Sequence, residues 1–451
     1  MLGIRKIRLA APRHLWQKLQ PCLKRSSSTV SKTVEDECKG NKPIAYWLFG
    51  VAGMVAGMVT VGGITRLTRS GLSMTDWKVQ GSLPPMNDEE WKREFDRYKT
   101  FPEWQQRKSM TIDEFKYIFY WEWGHRMLGR AVGLAFVIPG VYFGARGMIP
   151  RHLYPRLGVL FGLGGAQGLI GWWMVKSGLE VDPSQKKEIR VNPYRLATHL
   201  AMAFTTYGLL VWTGLDLLHP ASRMKEIASS LTTETLAFAK KSRRFQLHNL
   251  GLVALTVLSG AYVAGNDAGR AFNTFPKMGD EWIPSTILEM TPVWKNFMEN
   301  VATVQFDHRI LALSTLGAVS LGYAKASKAL SGTFLSNVPL ATRALYRATM
   351  GMAWVQVALG ISTLLMYVPI SLASIHQGGS LVLLTLVTAL SHSLSFAKYG
   401  KVIASSGAKV GQSITPSLKT VADASKRTFS TLRVKEPTIK YLRDSFPQQL
   451  Q

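Results

Sequence analysis

Four histidines lie within apolar segments of this sequence, where an ionisable side chain is costly and is a functional candidate by default. His125 and His199 occur in "EWGHR" and "LATHLAM", and His308 and His376 occur in "FDHR" and "IHQGG". Neutral imidazole suits iron, and two imidazoles that face each other across a helix bundle are a recurring way to hold a haem. A single such histidine could equally be a packed, hydrogen-bonded core residue. Their recurrence in two matching pairs favours ligands.

A glutamate precedes the first of these histidines, and a glutamine takes its place before the third. Glu122 lies three residues before His125, on the same helical face, and Gln305 has the same spacing from its own histidine. A carboxylate can accept or relay a proton, whereas an amide can only hold geometry. We therefore predict that Glu122 is catalytic and that the Gln305 half holds a permanent haem. The alternative is that Glu122 is a structural partner of Arg126 or Arg130.

An arginine directly follows the histidine in each of the two matching motifs. Arg126 and Arg309 are candidates for binding haem propionates, which need a cationic partner near the membrane interface. Arginines at this depth can also extend to lipid headgroups, and both interpretations stay open.

Eight segments are apolar over about 20 residues, which is the length a helix needs to cross a bilayer. They lie near 44–65, 118–144, 157–176, 196–218, 246–265, 301–324, 344–367 and 371–397. Backbone groups in lipid must pair internally, so helices are the expected form. The prediction is an all-α membrane protein with eight transmembrane helices.

Loop charges predict the orientation of these helices. One alternate set of loops carries 23 basic and 5 acidic residues, and the other set carries 18 basic and 17 acidic residues. The basic set consists of 145–156, 219–245, 325–347 and 398–451. By the positive-inside rule this set and both termini face the matrix, and the four histidines then lie near the outer face.

The two halves of the chain resemble each other. Without a gap, Gly62, Gly71, Trp77 and Gly81 align to Gly260, Gly269, Phe275 and Gly279. The spacing Gln-x-x-x-Gly also recurs, at Gln167/Gly171 and Gln356/Gly360. We infer two duplicated four-helix bundles in a parallel, pseudo-twofold arrangement, because each bundle has an even number of crossings.

The net charge of +26 is concentrated outside the apolar segments. Residues 1–34 contain eight Lys or Arg and no acidic residue, a composition typical of a mitochondrial transit peptide, with a disordered basic tail as the alternative. We expect no nucleic-acid partner. The expected domains are a transit peptide 1–40, an N-terminal bundle 41–218, a matrix linker 219–244, a C-terminal bundle 245–397 and a basic matrix tail 398–451.

Several of these motifs in combination resemble haem A synthase in its mitochondrial form. They are "GGITRLTRSGLSMTDWK", "EWGHRMLGR", "GNDAGRAFNTFPKM", "FDHR" and "IHQGGSLVLL", and the resemblance runs from about residue 44 to 395. It implies a mitochondrial inner-membrane oxidoreductase that converts a ring methyl of haem O to a formyl group through a hydroxylated intermediate. The product, haem A, is needed for assembly of cytochrome c oxidase.

The same resemblance implies haem b between His308 and His376, and substrate haem O between His125 and His199, with Glu122 functionally important. It implies electrons from ferredoxin and its reductase, and contact with haem O synthase and membrane lipid. A homo-oligomer is a further expectation. Some bacterial members use a cysteine pair in the first outer loop, but residues 66–117 contain no cysteine. The alternative function is an electron-transferring b-type membrane cytochrome without substrate chemistry.

Overall fold

The structure, a computed structural model, describes residues 13–74, 76–181, 189–330 and 339–400. The predicted tail from residue 401 onward and residues 1–12 of the predicted transit peptide lie outside the described residues. The described chain is helical, with one isolated β-bridge between Met278 and Glu281. Its helices are α1 (Arg13–Leu67), α2 (Asp88–Tyr98), α3 (Ile112–Ala145), α4 (Tyr154–Leu179), α5 (Pro193–Leu218), α6 (Ala221–Ser229), α7 (Thr233–Gly265), α8 (Asn296–Glu299), α9 (Val301–Leu330), α10 (Leu340–Leu365) and α11 (Ile370–Ser393).

Eight helices of the described chain are long and apolar enough to cross a membrane, which confirms the predicted number. Two of them extend well beyond the predicted apolar stretches 118–144 and 246–265. Side-chain caps decide where these helices begin: Thr111 forms a capping box with Glu114 at the start of α3, and Thr232 caps α7. Hydropathy locates the part of a helix that lies in lipid, and the helix continues into the polar region beyond it.

The eight long helices form two groups of four. In the first half, α1 contacts α3 and α5, and α4 contacts α5; in the second half, α7, α9, α10 and α11 form a closed ring of neighbours. The halves meet where α5 contacts α7 and α11, and where α1 contacts α11. The apolar core lies along this junction and includes Phe204, Leu210, Val253, Leu384 and Val387. The predicted arrangement of two duplicated four-helix bundles stays an inference.

The contact between the second and third long helices of each half, which forms one wall of that half, differs between the two halves. Helices α9 and α10 pack along each other, whereas the corresponding α3 and α4 touch over only a few residues. None of the residues in the most apolar stretch of α3 is buried, compared with 22% in α9. Apolar side chains on both sides of this gap are exposed, among them Ile138, Val141 and Phe161. The first half is therefore open on the side between α3 and α4.

A small folded cap precedes α3. Its helix α2 packs an aromatic cluster of Trp91, Phe95 and Tyr98 against Phe115 of α3. The Tyr98 hydroxyl donates a hydrogen bond to Glu103 at 3.1 Å, and burial together with that carboxylate raises the pKa of Tyr98. The cluster includes Met74, so it holds the loop that follows α1 close to the part of α3 that carries Glu122, His125 and Arg126.

Candidate haem-binding sites

Each of the four histidines lies against a glycine of the preceding long helix. The pairs are His125 with Gly62, His199 with Gly171, His308 with Gly260, and His376 with Gly360. A Cβ placed on Gly62 would come within 2.8 Å of the ring of His125, and on the other three glycines it would come within 3.1 Å of the facing ring. A glycine at these places lets an imidazole pack against backbone, so the four rings have equivalent positions between helices.

The two histidines of each half act on one another. His125 lies near His199, and His308 lies near His376, and each of the four residues is partly exposed. The structure thus brings together the residues that the sequence paired as ligands. Their role as ligands stays a prediction.

The ring nitrogens show whether these residues suit a haem. His308 Nδ1 lies 2.8 Å from Ser259 Oγ, and the Gln167 amide lies 3.3 Å from His199 Nδ1. In contrast, Nδ1 of His125 and Nδ1 of His376 are buried and have no hydrogen-bond partner among the described residues. A buried imidazole without a protein partner costs free energy unless a ligand uses it. Two imidazoles per half, packed on glycine backbone, fit the axial ligation of a haem iron.

Glu122 forms a buried ion pair in the first half. Its Oε1 accepts a hydrogen bond from Arg126 Nε at 2.5 Å, and both side chains are at most 10% exposed. Arg126 also donates to the carbonyls of Met74 and Asp76, at 2.6 and 3.0 Å. The structural pairing left open by the sequence therefore exists with Arg126, while Arg130 donates to backbone carbonyls. Glu122 Oε2 remains for a proton or a second partner.

Gln305 makes a different set of bonds at the matching place. Its amide donates to the carbonyls of Ala268 and Ala271, and its Oε1 accepts from Arg309 at 2.9 Å. Arg309 further donates to the carbonyl of Phe272 at 2.8 Å. A carboxylate could not donate to either loop carbonyl. The second half thus uses this position to tie its outer loop to α9, which is a structural task.

The arginines predicted to bind propionates direct most of their N–H groups elsewhere. Arg126 binds carbonyls of the loop after α1, and Arg309 binds carbonyls of the loop after α7. Nε of Arg309 is buried and has no partner among the described residues, so one donor is left for a further acceptor. Contact with a propionate stays a prediction for both residues.

Gln377 was missed by the sequence analysis, although it directly follows His376. Its Nε2 donates to the carbonyl of Val59 at 3.1 Å, across the junction of the halves. A Cβ on Gly63 would lie only 2.0 Å from Gln377 Oε1, so Gly63 makes room for this side chain. Gly62, which packs on His125, is its neighbour. The sequence did contain a signal for this contact. Gly62 is followed by a second glycine, Gly63, whereas the matching position in the second half is Ala261.

Comparisons with known proteins show which family this chain belongs to. The family model described as cytochrome oxidase assembly protein, COX15-CtaA, matches residues 45–388. The chain is 49% identical to Heme A synthase COX15 of Arabidopsis thaliana, over 79% of this chain and 75% of that protein. It is 47% identical to the Mus musculus protein of the same name, over 76% and 80%. It is 41% identical to a heme A synthase–mitochondrial ferredoxin fusion protein of Schizosaccharomyces pombe, over 82% and 64%.

Proposed function

Because this chain belongs to the COX15-CtaA family of cytochrome oxidase assembly proteins, we propose that its first half binds and oxidises haem O while its second half holds a resident haem b. Its function is that of a haem A synthase, an oxidoreductase-type enzyme that acts on haem. It is a multi-pass mitochondrial membrane protein. We further propose the inner membrane, with a transit peptide at the N-terminus and both termini in the matrix.

The difference between Glu122 and Gln305 is the observation that supports separate functions for the two halves. Both residues pair with an arginine that holds an outer loop, so their structural surroundings match. Only Glu122 can take up a proton, since Gln305 is an amide with both donor and acceptor engaged. Conversion of a ring methyl to a formyl group, through a hydroxylated intermediate, replaces two C–H bonds by a C=O bond. It is a four-electron oxidation that needs an external oxidant acting at the haem iron, and it releases protons. A carboxylate beside the ligand His125 is suited to accept a proton from that reaction.

In this proposal the protein supplies position and protection. His125 and His199 hold the substrate by its iron, which supplies the oxidising chemistry. Packing of both rings on Gly62 and Gly171 sets the orientation of the imidazoles. Arg126 keeps Glu122 in place and ties the outer loop over the site. The loop and the aromatic cap shield the site on its outer side.

The open wall between α3 and α4 offers the substrate a route from lipid. Haem O carries a long farnesyl tail, which is an apolar chain that partitions into a bilayer. The exposed apolar side chains on α3 and α4 would lie beside such a tail. The corresponding wall of the second half, where α9 packs against α10, would keep a resident haem in place.

Electrons reach the first half by way of the second in this proposal. His308 and His376 would hold haem b, and Gln377 connects its surroundings to α1 beside His125. The fused ferredoxin of the Schizosaccharomyces pombe relative supports a ferredoxin with its reductase as donor. A His308→Ala variant should therefore lose turnover, and a normal rate would contradict this path. Contacts with haem O synthase or a second copy of the chain stay predictions.

The proposed function is tested by the haem content of membranes. The full chain is expressed where haem O and a ferredoxin system are present, and extracted haems are separated by chromatography. Haem A is expected in addition to haem b. Haem b alone would favour the electron-transferring cytochrome without substrate chemistry, since that protein shares the histidines but makes no new haem.

A further inference from the structure

The hydrogen bond to His308 determines which ring nitrogen carries the proton. Ser259 has one hydroxyl proton, and its Oγ lies 2.7 Å from the carbonyl of Thr256, to which it donates. The same Oγ lies 2.8 Å from His308 Nδ1. Since its proton is already engaged, Oγ accepts from an Nδ1–H group. The lone pair of His308 is then on Nε2, the nitrogen left for a metal.

The matching histidine of the first half lacks this bond. Gly62 packs on His125 as Gly260 packs on His308, so the residues before these glycines occupy equivalent places. That residue is Ser259 in the second half and Val61 in the first. Valine offers no acceptor, and His125 Nδ1 is buried without a hydrogen-bond partner in the described parts of the chain. Two otherwise equivalent imidazoles therefore differ by one hydrogen bond.

The same difference extends one turn along the helix. Thr256 Oγ1 lies 2.8 Å from Thr315 Oγ1, which joins α7 to α9 through hydroxyl groups. The aligned position in the first half is Met58, whose methyl group would lie 2.9 Å from a Cβ on Gly129. A flexible thioether thus takes the place of a hydrogen bond between α1 and α3. The helix pair that carries His308 therefore has a hydroxyl–hydroxyl contact one turn from the histidine, where the pair that carries His125 has a methionine. The latter pair is hydrogen-bonded elsewhere, where Trp47 Nε1 donates to the carbonyl of Ala135 at 2.8 Å.

We propose that Ser259 is a positioning residue that fixes the ring orientation and the basicity of His308 as a haem b ligand, a constraint that Val61 does not give to His125. The proposal rests on the proposed assignment of the second half to a resident haem and the first half to the substrate. An imidazole whose Nδ1–H is hydrogen-bonded is fixed in orientation and is a more basic ligand.

Replacement of Ser259 by valine copies the first half into the second. In the purified full chain, Ser259→Val should lose haem b to excess apomyoglobin about tenfold faster, since loss of such a partner typically costs 10–100-fold in metal affinity. The haem b midpoint potential should rise, because a less basic ligand stabilises the ferric state less. Ser259→Thr keeps the hydroxyl and should restore both values. Thr213→Val is the matched control, because the Thr213 hydroxyl also lies in a long apolar helix but bonds only within that helix.

The converse variant, Val61→Ser, should slow the loss of haem from the first half. Unchanged haem release and midpoint potential in Ser259→Val would overturn the proposal. Should that variant not accumulate, Ser259→Ala removes the same bond with a smaller side chain and decides the question by the same two measurements. A wild-type chain without any bis-histidine haem spectrum would instead contradict the proposed function, so the two failures are distinguishable.

Discussion

At the scale of single residues, Glu122 and Gln305 show how one position serves two purposes. Glu122 shares a buried ion pair with Arg126, and loop carbonyls accept the remaining hydrogen bonds of that guanidinium. Gln305 meets the equivalent arginine, Arg309, as a neutral acceptor. An amide therefore satisfies this environment without a charge, and selection of a carboxylate in the first half calls for a chemical reason.

The second half acts as a template for a conservative variant. Glu122→Gln should unfold within about 1 kcal/mol of wild type, because the amide oxygen can accept from Arg126 as Gln305 does from Arg309. Glu122→Ala leaves the arginine without its carboxylate and should lose about 3 kcal/mol. Thermal unfolding in detergent measures both. Equal losses in the two variants would mean that the charge itself stabilises the fold.

The reverse substitution should be harmful. In Gln305→Glu the side chain loses the two donors that bind the carbonyls of Ala268 and Ala271. A carboxylate would face those oxygens, and the cost should be about 2 kcal/mol or more. Reduced thermal stability and weaker retention of haem b are expected. A variant as stable as wild type would show that this loop does not depend on the amide.

At the scale of helices, each of the four histidines packs against a glycine of a neighbouring helix, and this contact fixes the position of its ring. Gly62→Ala should displace His125, since a Cβ would come within 2.8 Å of its ring. Overpacking of this kind typically costs about 1–3 kcal/mol, and here it should also reduce turnover. Gly57→Ala in the same helix is the matched control, because a Cβ there has no neighbour within 4 Å. Similar activity of the two variants would contradict the close packing of His125.

The helices were easier to predict from the sequence than the residues at which they end, or the residues that contact the four histidines. A helix that crosses lipid must be long and apolar, so hydropathy alone identifies all eight spans. The start of α3 is set instead by the cap Thr111, which lies outside the apolar stretch and leaves no hydropathy signal. The four histidines and Glu122 stood out because polar groups are rare in such segments. Ser259 did not, because a serine in a membrane helix usually bonds to its own backbone. Only the contact between α7 and α9 brings it to His308.

At the scale of the whole molecule, an ionic contact joins the two halves beyond the ends of α1 and α7. Asp267 accepts from Arg66 at 3.0 Å and from Arg190 at 2.7 Å, and both arginines belong to the first half. All three side chains are less than 30% exposed. Asp267 has a positive φ of 51°, a conformation that asparagine also tolerates. The residue therefore combines a turn with a link between the two halves of the chain.

Removal of this charge should loosen the junction. Asp267→Asn keeps the turn but loses both ion pairs, and it should lower the free energy of unfolding by about 1–3 kcal/mol. Asp76→Asn is the control, since the pair of Asp76 with Arg97 is about half exposed and such pairs contribute about 1 kcal/mol or less. Thermal unfolding in detergent compares them. An equal effect of the two substitutions would show that the ion pairs of Asp267 stabilise the fold no more than the exposed pair of Asp76.

The central claim is that the Glu122 half performs the oxidation while the Gln305 half holds a resident haem. Its most direct test is chromatography of haems extracted from membranes that contain wild type or Glu122→Gln and a supply of haem O. We predict that the variant keeps haem b but accumulates haem O or the hydroxylated intermediate in place of haem A. Normal formation of haem A by Glu122→Gln would contradict the claim and leave Glu122 as a structural partner of Arg126.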